Sequence, residues 1–226
     1  MRVAAIIPAW NEAETVGPVV AAARAAATVD EVIVVDNGSS DDTAAVAQAH
    51  GAQVVGEPVQ GKGEAMRRGV AASTAGVIVF LDADLLGLRP EHVDTLVGRV
   101  VSGGADMACG LCDRGSTRNT LHLHYLPILS GQRALRREVF EALEPKETSG
   151  YKVEAALNSL VTQRKLRRHV QILTGVRHRT KEEKAKNPVT GFARKVGMLV
   201  SACWSYVSFR FRHRVLDEIL EVLSQR

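Results

Sequence analysis

Through its first hundred residues the chain alternates short, almost wholly apolar runs with longer stretches in which apolar residues recur at helical spacing. Residues 3–7 form the first run, closed by Pro8. Residues 31–35, 53–55 and 77–81 form three more, rich in the β-branched types that suit a pleated surface. Between them, helices are predicted over the alanine-rich residues 16–27, where Gly17-Pro18 suits a helix start, over the stretch running to His50, and from Gly61 through Ser73. The loop Asp36-Asn37-Gly38-Ser39-Ser40-Asp41-Asp42 is polar, and its last residues can cap the second helix through side-chain oxygens. Such alternation is the signature of βαβ units and predicts a mostly parallel central sheet flanked by helices.

A helix over 91–101 behind Arg89-Pro90 and a strand over 105–111 continue the pattern. Further on, residues 130–137 read as strand then turn, 151–165 as helix and 169–176 as strand. From Val189 onward, Phe192, Val196, Leu199 and Cys203 recur beside Val200, Trp204, Val207 and Phe211, which predicts a C-terminal amphipathic helix packed through its apolar face. With 226 residues, no internal repeat and no low-complexity linker, the chain is expected to be a single domain over 1–226. Its parts would be a nucleotide-binding half over 1–110, an acceptor half over 111–188 and the terminal helix over 189–226.

Composition adds exclusions rather than a function. The aromatic fraction of 4% argues against a base-stacking surface, and no nucleic-acid partner is expected. The net charge of +4 is unevenly spread: residues 161–226 hold 15 Lys/Arg against 5 Asp/Glu, and the remainder holds 14 against 20. A basic second half can attract phosphates or an anionic surface, or be a solvated face. Three cysteines, an odd number, suit a reduced cytoplasmic protein, and no uncharged apolar run reaches the length of a membrane span. Cys109-Gly110-Leu111-Cys112 has redox spacing, yet its first cysteine falls in a buried strand and no second pair exists, so a structural role is expected.

The chemistry concentrates at strand ends. Asp82 and Asp84 directly follow the fourth strand, on the rim where open α/β sheets bind ligands, and carboxylates there can hold Mg²⁺ or Mn²⁺ that a diphosphate also binds. Asp36 ends the second strand, where a carboxylate can accept from a ribose or base. Lys62, within Gly61-Lys62-Gly63 at a helix start, suits a phosphate. Neither a P-loop nor a dinucleotide fingerprint is present.

Ile6-Ile7-Pro8-Ala9-Trp10-Asn11-Glu12, Val34-Val35-Asp36-Asn37-Gly38-Ser39-Ser40-Asp41-Asp42-Thr43, Gly61-Lys62-Gly63 and Asp82-Ala83-Asp84 resemble, in order and spacing, the inverting family-2 glycosyltransferases of the GT-A fold. The resemblance is close over the first hundred residues and looser beyond. It implies that Pro8, Ala9, Trp10, Glu12 and Asp36 line the base and ribose, with Gly61 and Lys62 by the base and phosphates. Asp82 and Ala83 would meet the donor, and Asp84 would ligate the metal. Leu129-Ser130-Gly131-Gln132-Arg133 is similar to a segment of polyprenyl-phosphate sugar transferases and glucosyl-3-phosphoglycerate synthases, which implies that Gly131 and Arg133 border donor sugar and acceptor. Gly150-Tyr151-Lys152-Val153-Glu154 resembles the helix start that delivers a carboxylate to this pocket, which implies Glu154 for sugar hydroxyls or base catalysis; the Glu-Asp pair common in inverting members is absent. His178 is similar to a histidine that completes the metal site. His122 and His124 find no ligand partners nearby in sequence.

The implied activity is metal-dependent transfer of a sugar from a nucleotide-diphosphate donor, UDP-glucose by family frequency, to an anionic or hydroxyl acceptor. Lys62 and a basic loop holding Arg177, Arg179, Lys181 and Lys184 would share the charge that develops on the leaving diphosphate. A polyprenyl phosphate would place the last helix on a membrane surface. A small phosphorylated acid such as 3-phosphoglycerate would leave that helix for homodimer packing. Two other classes stay open: a sugar-1-phosphate nucleotidyltransferase, which would need a glycine-rich loop after the first strand, and a non-catalytic nucleotide-sugar sensor.

Overall fold

The structure, a computed structural model, describes residues 1–113, 130–144 and 153–179, all within the compact unit Met1–Arg179. The alternation predicted for the first half is present: β1 (Val3–Ala9), α1 (Val16–Ala25), β2 (Glu31–Asp36), α2 (Thr43–Ala49), β3 (Gln53–Gly56), α3 (Lys62–Ala71) and β4 (Val77–Phe80). There follow β5 (Leu85–Leu86), α4 (Pro90–Val101), β6 (Met107–Cys112), β7 (Gln132–Arg136), α5 (Arg137–Glu141), α6 (Val153–Gln163), β8 (Arg168–Leu173) and β9 (Arg177–His178). The predicted C-terminal helix, the basic loop beyond Arg179, His122 and His124 lie outside the described residues.

Seven strands form one sheet in the order β3-β2-β1-β4-β7-β6-β8. Six run parallel, and β7 alone is antiparallel to both of its neighbours, β4 and β6. β1 is apolar on both faces because both faces are covered. Val3, Ala5, Ile7 and Ala9 join the cluster that includes Val16, Val19 and Val20 of α1 and Val93, Leu96 and Val97 of α4. Ala4 and Ile6 join the opposite cluster, with Ala65, Met66 and Val70 of α3 and Val153, Leu157 and Val161 of α6. The alternation of Cβ direction along a strand thus divides one run between two cores.

One local reading needs correction. Residues 130–137, read as strand then turn, run from β7 straight into α5, because Arg137 is held at the end of α3. Its Nη1 donates to the Ser73 carbonyl at 2.9 Å and its Nη2 to the Val70 carbonyl at 3.0 Å. At the start of α2 the polar loop caps the helix as expected, through Asp41, which accepts from Thr43 N at 3.1 Å, while Asp42 makes no side-chain cap.

Candidate active site

The C-terminal ends of the parallel strands build the site. β1, β2 and β3 finish level with one another, since Ala9 pairs with Asp36 and Asp36 with Gly56. Two loops leaving this rim are tied together: Asn11 N donates to Ser39 Oγ at 3.0 Å, and Ser40 N donates to Asn11 Oδ1 at 2.8 Å. Trp10 lies at the end of β1, 52% exposed, and Asp36 is half-buried, one oxygen accepting from Ser39 N at 3.2 Å. Pro8 is half-buried, and Glu12 accepts from Thr15 Oγ1 at 3.0 Å.

β4 delivers the carboxylates. Phe80, its last residue, pairs with Arg133 of antiparallel β7, so continuing two residues along one strand and back along the other brings Asp82 to Gly131. There a Cβ would lie 2.2 and 2.3 Å from the two Asp82 oxygens, a space only glycine leaves open. Gln132 Nε2 donates to Asp82 Oδ2 at 2.8 Å. The other oxygen, Oδ1, lies 2.7 Å from Lys62 Nζ, which also reaches Glu154 Oε1 at 2.6 Å. Lys62 is the first residue of α3, directly after Gly61, whose φ of 152° and contact with Glu64 suit glycine alone. Glu154 lies in the first turn of α6.

His178 arrives by a two-stranded ribbon. β5 and β9 pair antiparallel with Leu85 opposite His178, and Arg179 N donates to the Asp84 carbonyl at 2.9 Å. His178 Nδ1 therefore stands 3.0 Å from Asp84 Oδ1, with Nε2 3.9 Å from Asp82 Oδ2. Among the described residues, Asp82, Asp84 and His178 form the group able to hold a metal ion, with one ligand atom from each within 4.8 Å of the others. Oxygens from two carboxylates and one imidazole nitrogen make a donor set that fits a hard or borderline divalent cation with positions left for phosphate oxygens.

The same geometry sets the charge of these groups. Burial opposes the charge on Asp82, but Lys62 and then His178 outweigh it and hold the carboxyl below the ordinary aspartate range. For Lys62, burial acts to lower the value, and Asp82 and Glu154 overcome it, so the ammonium is held above the usual lysine range. Burial likewise acts to lower His178, but its hydrogen bonds to Asp84 and Cys112 and the charge of Asp82 push it up to about 11. Lys62 and His178 thus lie against the carboxylate pair, with the Gln132 amide on Asp82 beside them.

Three implied contacts differ. The methyls of Ala9 and Ala83 are buried in the core, which leaves only their backbone toward the rim. Arg133, expected to border donor sugar and acceptor, has no exposed surface: its Nε donates to the Ser130 carbonyl at 2.6 Å and its Nη1 to Asn158 Oδ1 at 3.0 Å. It supports the floor of the site from inside the sheet, because residue 133 is paired within β7 while the chain reaches the rim only at 131. Arg179 pairs with Glu14 Oε2 at 2.5 Å. Cys109 is buried and Cys112 only partly so; both are free, since positions three apart on β6 face opposite sides. Residue-by-residue reading assigned nothing to Gln132 and Asn37, although both lie inside the motifs quoted above; each is a polar residue buried beside the rim.

A donor set of this composition with an ammonium beside it, at the carboxyl rim of a mostly parallel sheet, defines an α/β protein whose ligand-binding edge is fitted for a divalent cation. The chain belongs to glycosyl transferase family 2, whose family model matches residues 4–149. It is 35% identical over 168 residues to the glucosyl-3-phosphoglycerate synthase of Mycobacterium tuberculosis, covering 63% of this chain and 51% of that protein. It is 41% identical over 110 residues to the synthase of Mycolicibacterium smegmatis, covering 44% of this chain and 36% of the other. The chain thus spans about half the length of the M. tuberculosis relative, or less for the other. Among solved structures, the M. tuberculosis synthase in complex with Mn²⁺, UDP-glucose and phosphoglyceric acid superposes with a TM-score of 0.74 at 30% identity. That match covers 92% of this chain and 79% of the other. The same synthase with Mg²⁺ and UDP gives 0.75 at 29% identity, over 92% and 79% of the two chains.

Proposed function

We propose that the protein is a metal-dependent glycosyltransferase that takes glucose from UDP-glucose and passes it to a small phosphorylated acid of the phosphoglycerate type. One observation carries this reading: Asp82, Asp84 and His178 converge on one point beside Lys62, at the rim where the loops of β1 and β2 offer Trp10 and Asp36. The relatives named above, one of them solved with Mn²⁺, a uridine nucleotide sugar and phosphoglyceric acid, support the choice of donor and acceptor.

Asp84 and His178, with Asp82, would hold Mg²⁺ or Mn²⁺, which when bound supplies Lewis-acid stabilisation to the departing diphosphate. Asp36 and Trp10 hold the nucleoside end. The Lys62 ammonium, kept charged by two carboxylates, is placed to follow negative charge as it grows on the phosphate oxygens. Gly131 lets the Asp82 carboxylate sit against the chain entering β7, and Glu154, freed as Lys62 turns toward phosphate, can accept from a sugar or acceptor hydroxyl. The β1–α1 loop, Trp10 through Thr15, holds no glycine, which removes support for the nucleotidyltransferase reading. Contact with a membrane and dimerisation both rest on 189–226, outside the described residues.

The test is release of UDP from UDP-glucose with Mn²⁺ and 3-phosphoglycerate. Turnover should disappear in Asp84→Ala and on chelation. Donor binding without turnover for any phosphorylated acid would favour a nucleotide-sugar sensor instead.

A further inference from the structure

We infer that Asn37 is a positioning residue for Lys62, acting through the loop that joins β3 to α3; the inference rests on the reading of the site given above. Asn37 follows the last residue of β2 and is 6% exposed. Its backbone N donates to the Ala9 carbonyl at 2.9 Å, which fixes the residue to the end of β1. From that anchor, Nδ2 donates to the Glu57 carbonyl at 3.0 Å and to the Val59 carbonyl at 2.7 Å, and Oδ1 accepts from Gly61 N at 2.7 Å. One side chain thereby satisfies backbone groups at 57, 59 and 61, alternate residues of a loop that has no strand or helix of its own.

The loop ends at Gly61, and the next residue is Lys62, whose ammonium meets Asp82 and Glu154. The end of β2, where Asp36 faces the nucleoside, is therefore coupled through a single amide to the start of α3, where Lys62 faces the phosphates. Only an amide fits this role. Two carbonyls need donors and one N–H needs an acceptor, so a carboxylate of the same shape keeps the bond to Gly61 and turns the other two into repulsions. A clasp of this kind sets the phase of the first turn of α3, and an error of about 1 Å at a reacting group costs about 10²-fold.

A double-mutant cycle tests it, with UDP titrated calorimetrically in the presence of Mn²⁺. Asn37→Asp should weaken UDP binding about 10- to 100-fold, as should Lys62→Met, whereas the double variant should lose no more than about threefold beyond Lys62→Met. Additive losses, or no loss in Asn37→Asp, would overturn the inference. Amide exchange provides a reading that needs neither ligand nor turnover: in Asn37→Ala the Gly61 N–H loses its buried acceptor and should exchange at least about tenfold faster, with α1 and α4 unchanged. An unchanged Gly61 rate would sink the clasp even if the chain binds UDP well. Failure of the wild-type chain to bind UDP with Mn²⁺ would instead overturn the functional reading and leave the clasp to be judged on exchange alone.

Discussion

A methyl group at position 131 would lie 2.2 and 2.3 Å from the oxygens of Asp82, far inside any non-bonded approach. Gly131→Ala must therefore push Asp82 away from Lys62 and Gln132, or push the 130–132 segment off the rim. Either shift disturbs the cation site while leaving both cores intact, so the variant should melt within a few degrees of the wild type and lose about 10²-fold in UDP release. Full activity in Gly131→Ala would mean that the carboxylate position does not matter. A second carboxylate gives a clean pH signature. Asp106 accepts from Arg167, first through the side chain and then through the backbone, and is held below its ordinary value of 3.8. A depressed carboxyl contributes its stability above the unfolded value and loses it as pH falls through the folded one. Asp106→Asn should therefore cost about 1 kcal/mol at pH 6, no more because the Arg167 side chain is 59% exposed and screened. That difference should shrink as pH falls below the ordinary aspartate value of 3.8 and through the lower folded one, as urea titrations at several pH values would show. At this scale the acidic residues were legible in sequence because Asp36, Asp82 and Asp84 follow apolar strand runs. Asn37 and Gln132 were not, because what distinguishes them is hydrogen bonding to groups 20 to 50 residues away.

Among the elements, those with a long period were legible and those fixed only by partners were not. β1, β2, β4 and α4 carry their own patterns, and the readings of 3–7, 31–35, 77–81 and 91–101 fall on them to within one or two residues. β7 gave no sign of running antiparallel, since direction within a sheet leaves no mark on a five-residue strand that is buried on both faces. The β5–β9 ribbon, two residues on each side, is too short for any period, yet it brings His178 to Asp84. α5 begins at Arg137, where the reading of 130–137 ends in a turn; its five residues are too few to show a helical period, and the Arg137 fork closes the carbonyl end of α3. Removing that fork leaves helix-end carbonyls at 70 and 73 without their charged donor, so Arg137→Ala should cost about 2 kcal/mol in urea unfolding while leaving UDP release per folded molecule unchanged. The opposite sign is expected at Gly98, inside α4, where an added Cβ meets nothing within 4 Å. Gly98→Ala should stabilise by about 0.5 to 1 kcal/mol, because alanine gives up less backbone freedom on entering a helix.

The sheet as a whole collects residues from positions 10 to 178 onto one rim, so a ligand that bridges them must be felt by the entire unit rather than by one loop. His178 belongs to the ribbon and Asp84 directly precedes it, while Lys62 belongs to α3, Glu154 to α6 and Asp36 to β2. Binding to the native state alone raises stability by about 2.7 kcal/mol at a hundred times the dissociation constant, or about 5 to 10 °C for a unit of this size. If the cation links Asp84 and His178 to the diphosphate, Mn²⁺ and UDP together should raise the melting temperature by more than the sum of their separate shifts. Asp84→Ala should abolish that excess while retaining the small shift from the nucleoside end, since Asp36 and Trp10 are untouched. Melting curves of the free chain, with UDP, with Mn²⁺ and with both would read this directly. Equal shifts for UDP with and without Mn²⁺ would show that nucleotide and cation do not meet at Asp84, and the carboxylates would then be a structural feature of the strand end.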